Sequence, residues 1–166
     1  MPTKKRIADI TAEQVLRRLA ELEEHAAAFY EGLLDVAETK PLRKLGETML
    51  KAEKRHRKRF LAYAEHAKKH DDPSEYALSG EWPGEVDRLM TVQPFPAPDK
   101  ARQSARRSEP VEFFKFAIRA EEHMALLLAE LRLHVPKKHK PYLTRVMNEE
   151  WAHKAKLEEY TRKYFA

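Results

Sequence analysis

The chain of 166 residues contains no cysteine. Disulfides, zinc ribbons, thiolate-held iron-sulfur clusters and a rubredoxin-type iron site are therefore excluded, and any electrons used in a redox reaction have to come from outside the polypeptide. A disulfide-free chain is also at home in a reducing cytosol. There is no apolar run of about 18 residues. The opening Met1-Pro2-Thr3-Lys4-Lys5-Arg6 leads into no apolar secretory core. A cytoplasmic protein with no membrane partner is the expectation. Glycine is scarce, four in the whole chain, whereas Ala, Leu, Glu, Lys and Arg are abundant. That balance leaves strands no obvious place and argues for an all-α fold. The length suits a single domain, 1–166, whose core needs no covalent staples.

What is present begins with charge. The formal net charge is +5, with basic clusters at Lys54, Arg55, Arg57, Lys58 and Arg59, at Arg106 and Arg107, and at Lys137, Lys138 and Lys140. Most of these cations alternate with glutamates along helical stretches and lack interleaved aromatics for stacking on bases. They read as solvated helix faces, so a nucleic-acid partner is not expected.

Hydrophobic periodicity divides the chain into four long helices. Thr11 with Gln14 three positions on is a capping-box signature, opening a helix to about Thr39 whose apolar stripe is Leu16, Leu19, Ala20, Ala27, Tyr30 and Leu34, with Glu23 inside it. Pro41 restarts a second helix to about His70, carrying Leu45, Met49, Ala52, His56, Phe60 and Tyr63 on one face. From about 71 to 108 the pattern breaks at Pro73, Gly80, Pro83, Gly84, Pro94, Pro96 and Pro98, with room for a short helix near Glu85 to Met90. Ser108-Glu109-Pro110 opens a third helix, ending before Pro136, with Phe114, Ala117, Ile118, Glu121, Ala125, Leu128 and Leu131 inward. Pro141 opens a fourth, with Tyr142, Val146, Glu150, His153, Leu157 and Tyr160 inward and Leu143 on a neighbouring face. A connection as long as 71–108 makes sense where helices 2 and 3 run parallel, as in a four-helix bundle with one long crossover.

Two stripes contain the same polar pattern. Glu53 and His56 form a Glu-x-x-His pair, as do Glu150 and His153, and each pair follows a lone glutamate, Glu23 or Glu121. Residues three apart on a helix share a face, so each pair can present a carboxylate and an imidazole to one point. The spacing from Glu23 to Glu53 is 30 positions and from Glu121 to Glu150 it is 29. A shift of 98 lays Leu22-Glu23-Glu24-His25 on Ala120-Glu121-Glu122-His123, and a shift of 97 lays Glu53, His56, Phe60 and Tyr63 on Glu150, His153, Leu157 and Tyr160. One Glu-x-x-His is an ordinary coincidence in a chain this rich in Glu; two symmetric half-sites are not. Four glutamates and two histidines projecting into a helical bundle form the ligand set of a carboxylate-bridged two-metal centre. Glu53 and Glu150 would bridge the metals or bind beside them, Glu23 and Glu121 would each cap one, and His56 and His153 would each supply an imidazole. Carboxylate and imidazole suit iron or manganese, and the lack of thiolate disfavours structural zinc.

Leu22-Glu23 with Tyr30 seven positions on, Glu53-Lys54-Arg55-His56, Ala117-Ile118-Arg119-Ala120-Glu121 and Glu150-Trp151-Ala152-His153 together resemble the ferritin-like di-iron carboxylate proteins. Within that family the chain is most similar to the rubrerythrin-like branch without a rubredoxin domain. The resemblance spans nearly the whole chain outside the crossover. It implies a ferritin-like four-helix bundle, two iron ions with manganese as the other candidate, and oxidation of ferrous iron with oxygen or reduction of peroxide. It also implies a homo-oligomer and, for peroxidase chemistry, an external electron donor. Two departures matter: the four cysteines of a rubredoxin-like domain are absent, and Met124 stands where rubrerythrin carries an extra glutamate one turn after the third-helix ligand. Both weigh against a self-contained peroxidase. A di-iron hydroxylase of an organic or nucleic-acid substrate, or a metal-free helical interaction module, are the competing readings.

Neighbouring residues offer alternatives. Glu24 and Glu122 could replace Glu23 and Glu121 if the helix phase were different, but the latter fall better on the apolar stripes. His25 and His123 point away from the ligands and read as partly exposed surface or as groups that support the ligands from behind. Tyr30, on the inner face two turns from Glu23, is placed to hydrogen-bond a ligand carboxylate or simply to pack. Tyr63, Tyr160 and Trp151 read as packing residues, and His66 with His70 as complements of a helix C-terminus.

Overall fold

The computed structural model describes residues 11–70 and 91–165. Among these residues the structure is all-helical: α1 Ala12–Val36, α2 Lys40–His70, α3 Pro98–Arg107, α4 Pro110–His134, a 3-10 turn Lys137–His139, and α5 Lys140–Phe165. Thr11 caps α1 through the expected reciprocal pair, its Oγ1 accepting from the Gln14 amide at 3.2 Å while Gln14 Oε1 accepts from the Thr11 amide at 2.9 Å. Pro98 and Pro110 occupy the first turns of α3 and α4, where a missing N–H costs nothing. The element near Glu85 to Met90 lies outside the described residues. Within the described residues no helix is long and apolar enough to cross a membrane.

The four long helices are antiparallel to their neighbours. Arg17 pairs with Glu65 and Lys54 with Glu31, so α2 runs back along α1. Phe114 stacks on Tyr160 and Arg132 reaches Thr144, so α5 runs back along α4. Phe29 stacks on Phe113 at 4.6 Å between ring centres, joining α1 to α4, and Phe60 meets Tyr142 at 5.8 Å, joining α2 to α5. The parallel helices α2 and α4 therefore sit diagonally opposite, which is why a long crossover is needed. One continuous core includes Leu19, Phe29, Met49, Phe60, Phe114, Leu128 and Leu157, and burying each large side chain contributes about 1.5–3 kcal/mol.

The described part of the crossover, 91–108, is more ordered than its prolines suggest. The Phe95 side chain is buried against Phe29 at 5.3 Å and Tyr30 at 6.1 Å, and Arg18 donates to the Val92 carbonyl at 3.2 Å. Beyond it α3 lies parallel on the outside of α1, with Ala101 and Ala105 buried and Arg102 and Arg106 bonded to Glu31 and Asp35. The connection 71–108 thus contains a ten-residue helix, α3, that its proline punctuation did not announce. His25 also departs from expectation: it is buried, its Nδ1 lying 3.3 Å from the Phe95 carbonyl, because the crossover covers that face of α1. His123, its repeat mate, is exposed. Leu143 is buried while Tyr142 is half-buried, the reverse of the expected inner stripe, since Tyr142 slides outward to stack on Tyr63 at 3.8 Å.

Candidate metal centre

The helix phase turns Glu23, Glu53, Glu121 and Glu150 fully inward, and none is more than 1% exposed. Glu24 is exposed and Glu122 half-buried, because each is one position round the helix from the apolar stripe. His56 and His153 lie beside one another, ring centres 5.4 Å apart and planes 22° from parallel. Each directs Nδ1 at the carboxylates. His56 Nδ1 is 2.7 Å from Glu150, 3.5 Å from Glu53 and 3.6 Å from Glu23. His153 Nδ1 is 3.0 Å from Glu53, 3.2 Å from Glu150 and 3.6 Å from Glu121.

These six residues form two overlapping groups. Glu23, Glu53, His56 and Glu150 bring one ligand atom each within 4.8 Å of one another, and so do Glu53, Glu121, Glu150 and His153. Glu53 and Glu150 belong to both groups. Each group could hold a metal ion, and the shared carboxylates are where bridging ligands would stand.

The contacts are close but poorly aligned as hydrogen bonds. Both oxygens of Glu23, one each of Glu53, Glu121 and Glu150, and His56 Nδ1 are buried without a hydrogen-bond partner, although ion-pair distances connect most of them. Lone pairs that converge on common points instead of on each other are what cation ligands require, whereas buried polar atoms are ordinarily hydrogen-bonded. The donor set fits as well: carboxylate oxygens and imidazole nitrogens without thiolate suit iron and manganese.

Electrostatics in the metal-free cluster follow from burial and crowding. Burial, then the charges of Glu150 and Glu53, push Glu23 well above the usual carboxylate range, and burial with Glu53 does the same to Glu121. Burial also opposes ionisation of Glu53 and Glu150, but His153 and His56 outweigh it and hold both low. Burial would likewise lower the histidines, yet the surrounding glutamates raise both far above the ordinary imidazole value. In the metal-free cluster Glu23 and Glu121 are thus driven toward the neutral acid, while Glu53 and Glu150 are held toward the carboxylate beside the two histidines.

Two neighbours complete the site. Tyr30, buried on α1, donates its hydroxyl to Glu121 Oε1; burial and the Glu121 charge push its phenol up, so it remains a donor. Glu149 was not anticipated. It lies one position before Glu150 and off the apolar stripe, yet its Oε2 stands 2.6 Å from His56 Nε2 and accepts from Arg55 at 3.2 Å, while Oε1 accepts from Arg59 at 3.2 Å. Burial pushes its carboxyl up, but His56, Arg55 and Arg59 prevail and hold it at about 2. A glutamate doublet was its only sequence signal. Met124 is buried in the core beside this layer, so no further carboxylate enters from that position. Comparisons with family models, with characterised proteins and with solved structures find no match to this chain.

Proposed function

We propose that this chain is a ferritin-like four-helix protein with a two-iron carboxylate centre, in which Glu53 and Glu150 would bridge the ions or bind beside them, Glu23 and His56 would hold one ion and Glu121 and His153 the other. The single observation that carries this reading is the pair of overlapping ligand groups sharing Glu53 and Glu150. Manganese satisfies the same donors. When bound, two ferrous ions supply two electrons to an oxidant of the dioxygen or peroxide class; for peroxide, two protons enter and two waters leave. The chain's own part is to neutralise the ions with four carboxylates, fix both imidazoles by Nδ1, and exclude bulk water with the apolar layers of Phe60, Met49 and Met124. Tyr30 holds Glu121 in place. With no cysteine in the chain, repeated peroxide turnover would draw electrons from an external donor.

Metal content of protein purified without added metal, followed by anaerobic ferrous titration and admission of oxidant, tests the reading. Close to two irons per chain, oxidised rapidly on exposure, is the expected result. Glu53→Ala and His153→Ala should each lower the metal content; because each leaves a buried partner unpaired, helicity by circular dichroism is read alongside, and only variants that keep their helices are scored. Unchanged iron stoichiometry in both variants, or no binding by the parent protein, would return the cluster to an internally paired, metal-free module.

A further inference from the structure

Glu23 and Glu121, Glu53 and Glu150, and His56 and His153 correspond under the internal repeat, but their surroundings do not. His56 Nε2 lies 2.6 Å from Glu149, which is itself held by Arg55 and Arg59. The repeat mate of Glu149 is Ala52, a buried methyl that can accept nothing, and the contacts His153 makes with the described residues run through Nδ1. The opposite holds for the lone glutamates. Tyr30 donates to Glu121, whereas the repeat mate of Tyr30 is Leu128, and neither oxygen of Glu23 has a hydrogen-bond partner.

Building on the two-metal reading above, the geometry points to two unequal metal positions: a tight one at Glu23 and His56, with Glu149 as its positioning residue, and a weaker, exchangeable one at Glu121 and His153. Both differences act in the same direction. A carboxylate accepting from Nε2 fixes the tautomer that leaves the Nδ1 lone pair facing the cluster and makes the imidazole a better donor. His153 lacks the corresponding carboxylate, because Ala52 stands at the position that matches Glu149. Glu23 keeps both oxygens for a cation, whereas Glu121 commits one to Tyr30 and has less negative charge to give. The ion pairs from Arg55 and Arg59 limit the freedom of Glu149 and so of the ring it holds.

The predicted result is stepwise loading, the first ion binding about 10–100-fold more tightly than the second, which is the range such outer hydrogen bonds command. Cobalt(II) titrated into the metal-free protein against a competing chelator, read by ligand-field absorption, gives the two step constants. Glu149→Gln, with helicity checked by circular dichroism, should weaken the tight step by about that same factor and leave the weak step unchanged, so that the two converge. Tyr30→Phe should instead strengthen the weak step alone, and it keeps the inference testable if the first variant misfolds. Two ions bound with equal affinity by the parent, or both steps weakened equally by Glu149→Gln, would overturn the inequality while leaving the two-metal reading intact. Fewer than two cobalt ions bound would bring down the two-metal reading itself.

Discussion

Tyr30 donates its hydroxyl to Glu121 Oε1, and the other oxygen of that side chain is buried without a hydrogen-bond partner. Tyr30→Phe should therefore destabilise the chelated, metal-free protein by about 1–3 kcal/mol in denaturant melts, the range for leaving a buried acceptor unpaired. The titrating residues make a prediction of opposite sign in the two metal states. Raised pKa values at His56 and His153 give stability that is full below the unfolded imidazole value and fades as pH climbs toward the folded one. The raised Glu23 and Glu121 act likewise from the unfolded carboxylate value upward, whereas the lowered Glu53 and Glu150 contribute stability that is lost on acidification. The metal-free protein should thus lose stability as pH rises from about 5 to 8. Metal ions must displace the same protons, so their affinity rises over that interval. The difference in Tm between loaded and chelated samples should widen with pH; a constant difference would contradict the protonation scheme.

At the scale of elements, the contact between α1 and α3 depends on one missing side chain. A Cβ on Gly32 would stand 2.5 Å from the Arg102 carbonyl oxygen and 2.8 Å from its Cα, both backbone atoms of α3. Gly32→Ala should push α3 away and cost about 1–3 kcal/mol, an overpacking penalty. Gly46 is a useful contrast. Its added Cβ would meet Leu34 Cδ2 at 2.8 Å, the end of a side chain that can rotate, while alanine gains about 0.8–1 kcal/mol of helix propensity. Gly46→Ala should consequently be the milder change by at least about 1 kcal/mol in paired melts. Proline-rich punctuation concealed α3 in the sequence, although Pro98 at its first turn was a readable start signal. Its stability comes from Ala101 and Ala105 finding α1, a contact between residues some 70 positions apart that no local pattern contains.

Across the described residues, the six clustered Glu and His side chains stand within a core whose apolar members run from Leu19 to Leu157, with His25 and His139 as further buried polar groups. The raised proton affinities of His56, His153, Glu23 and Glu121 offset buried carboxylate charge in the metal-free chain, so chelation should lower Tm without removing the helical signal. Free metal at 100 times the dissociation constant should restore about 2.7 kcal/mol per site, measured as a Tm shift that grows with metal concentration. Collapse of helicity on chelation would show instead that the fold requires the ions.

The sequence by itself determined the helical class, the bounds of the four long helices to within a few residues, and the inward turn of Glu23, Glu53, His56, Glu121, Glu150 and His153. Those features follow from a period of 3.6 and a polar residue interrupting an apolar stripe, which are local properties of the chain. Only the tertiary structure decided that Glu149 reaches across from α5 to His56, that Tyr30 serves Glu121 on α4, and that the crossover buries His25. Each depends on which helix lies beside which. The repeat made the two half-sites look equal, and long-range packing made them different.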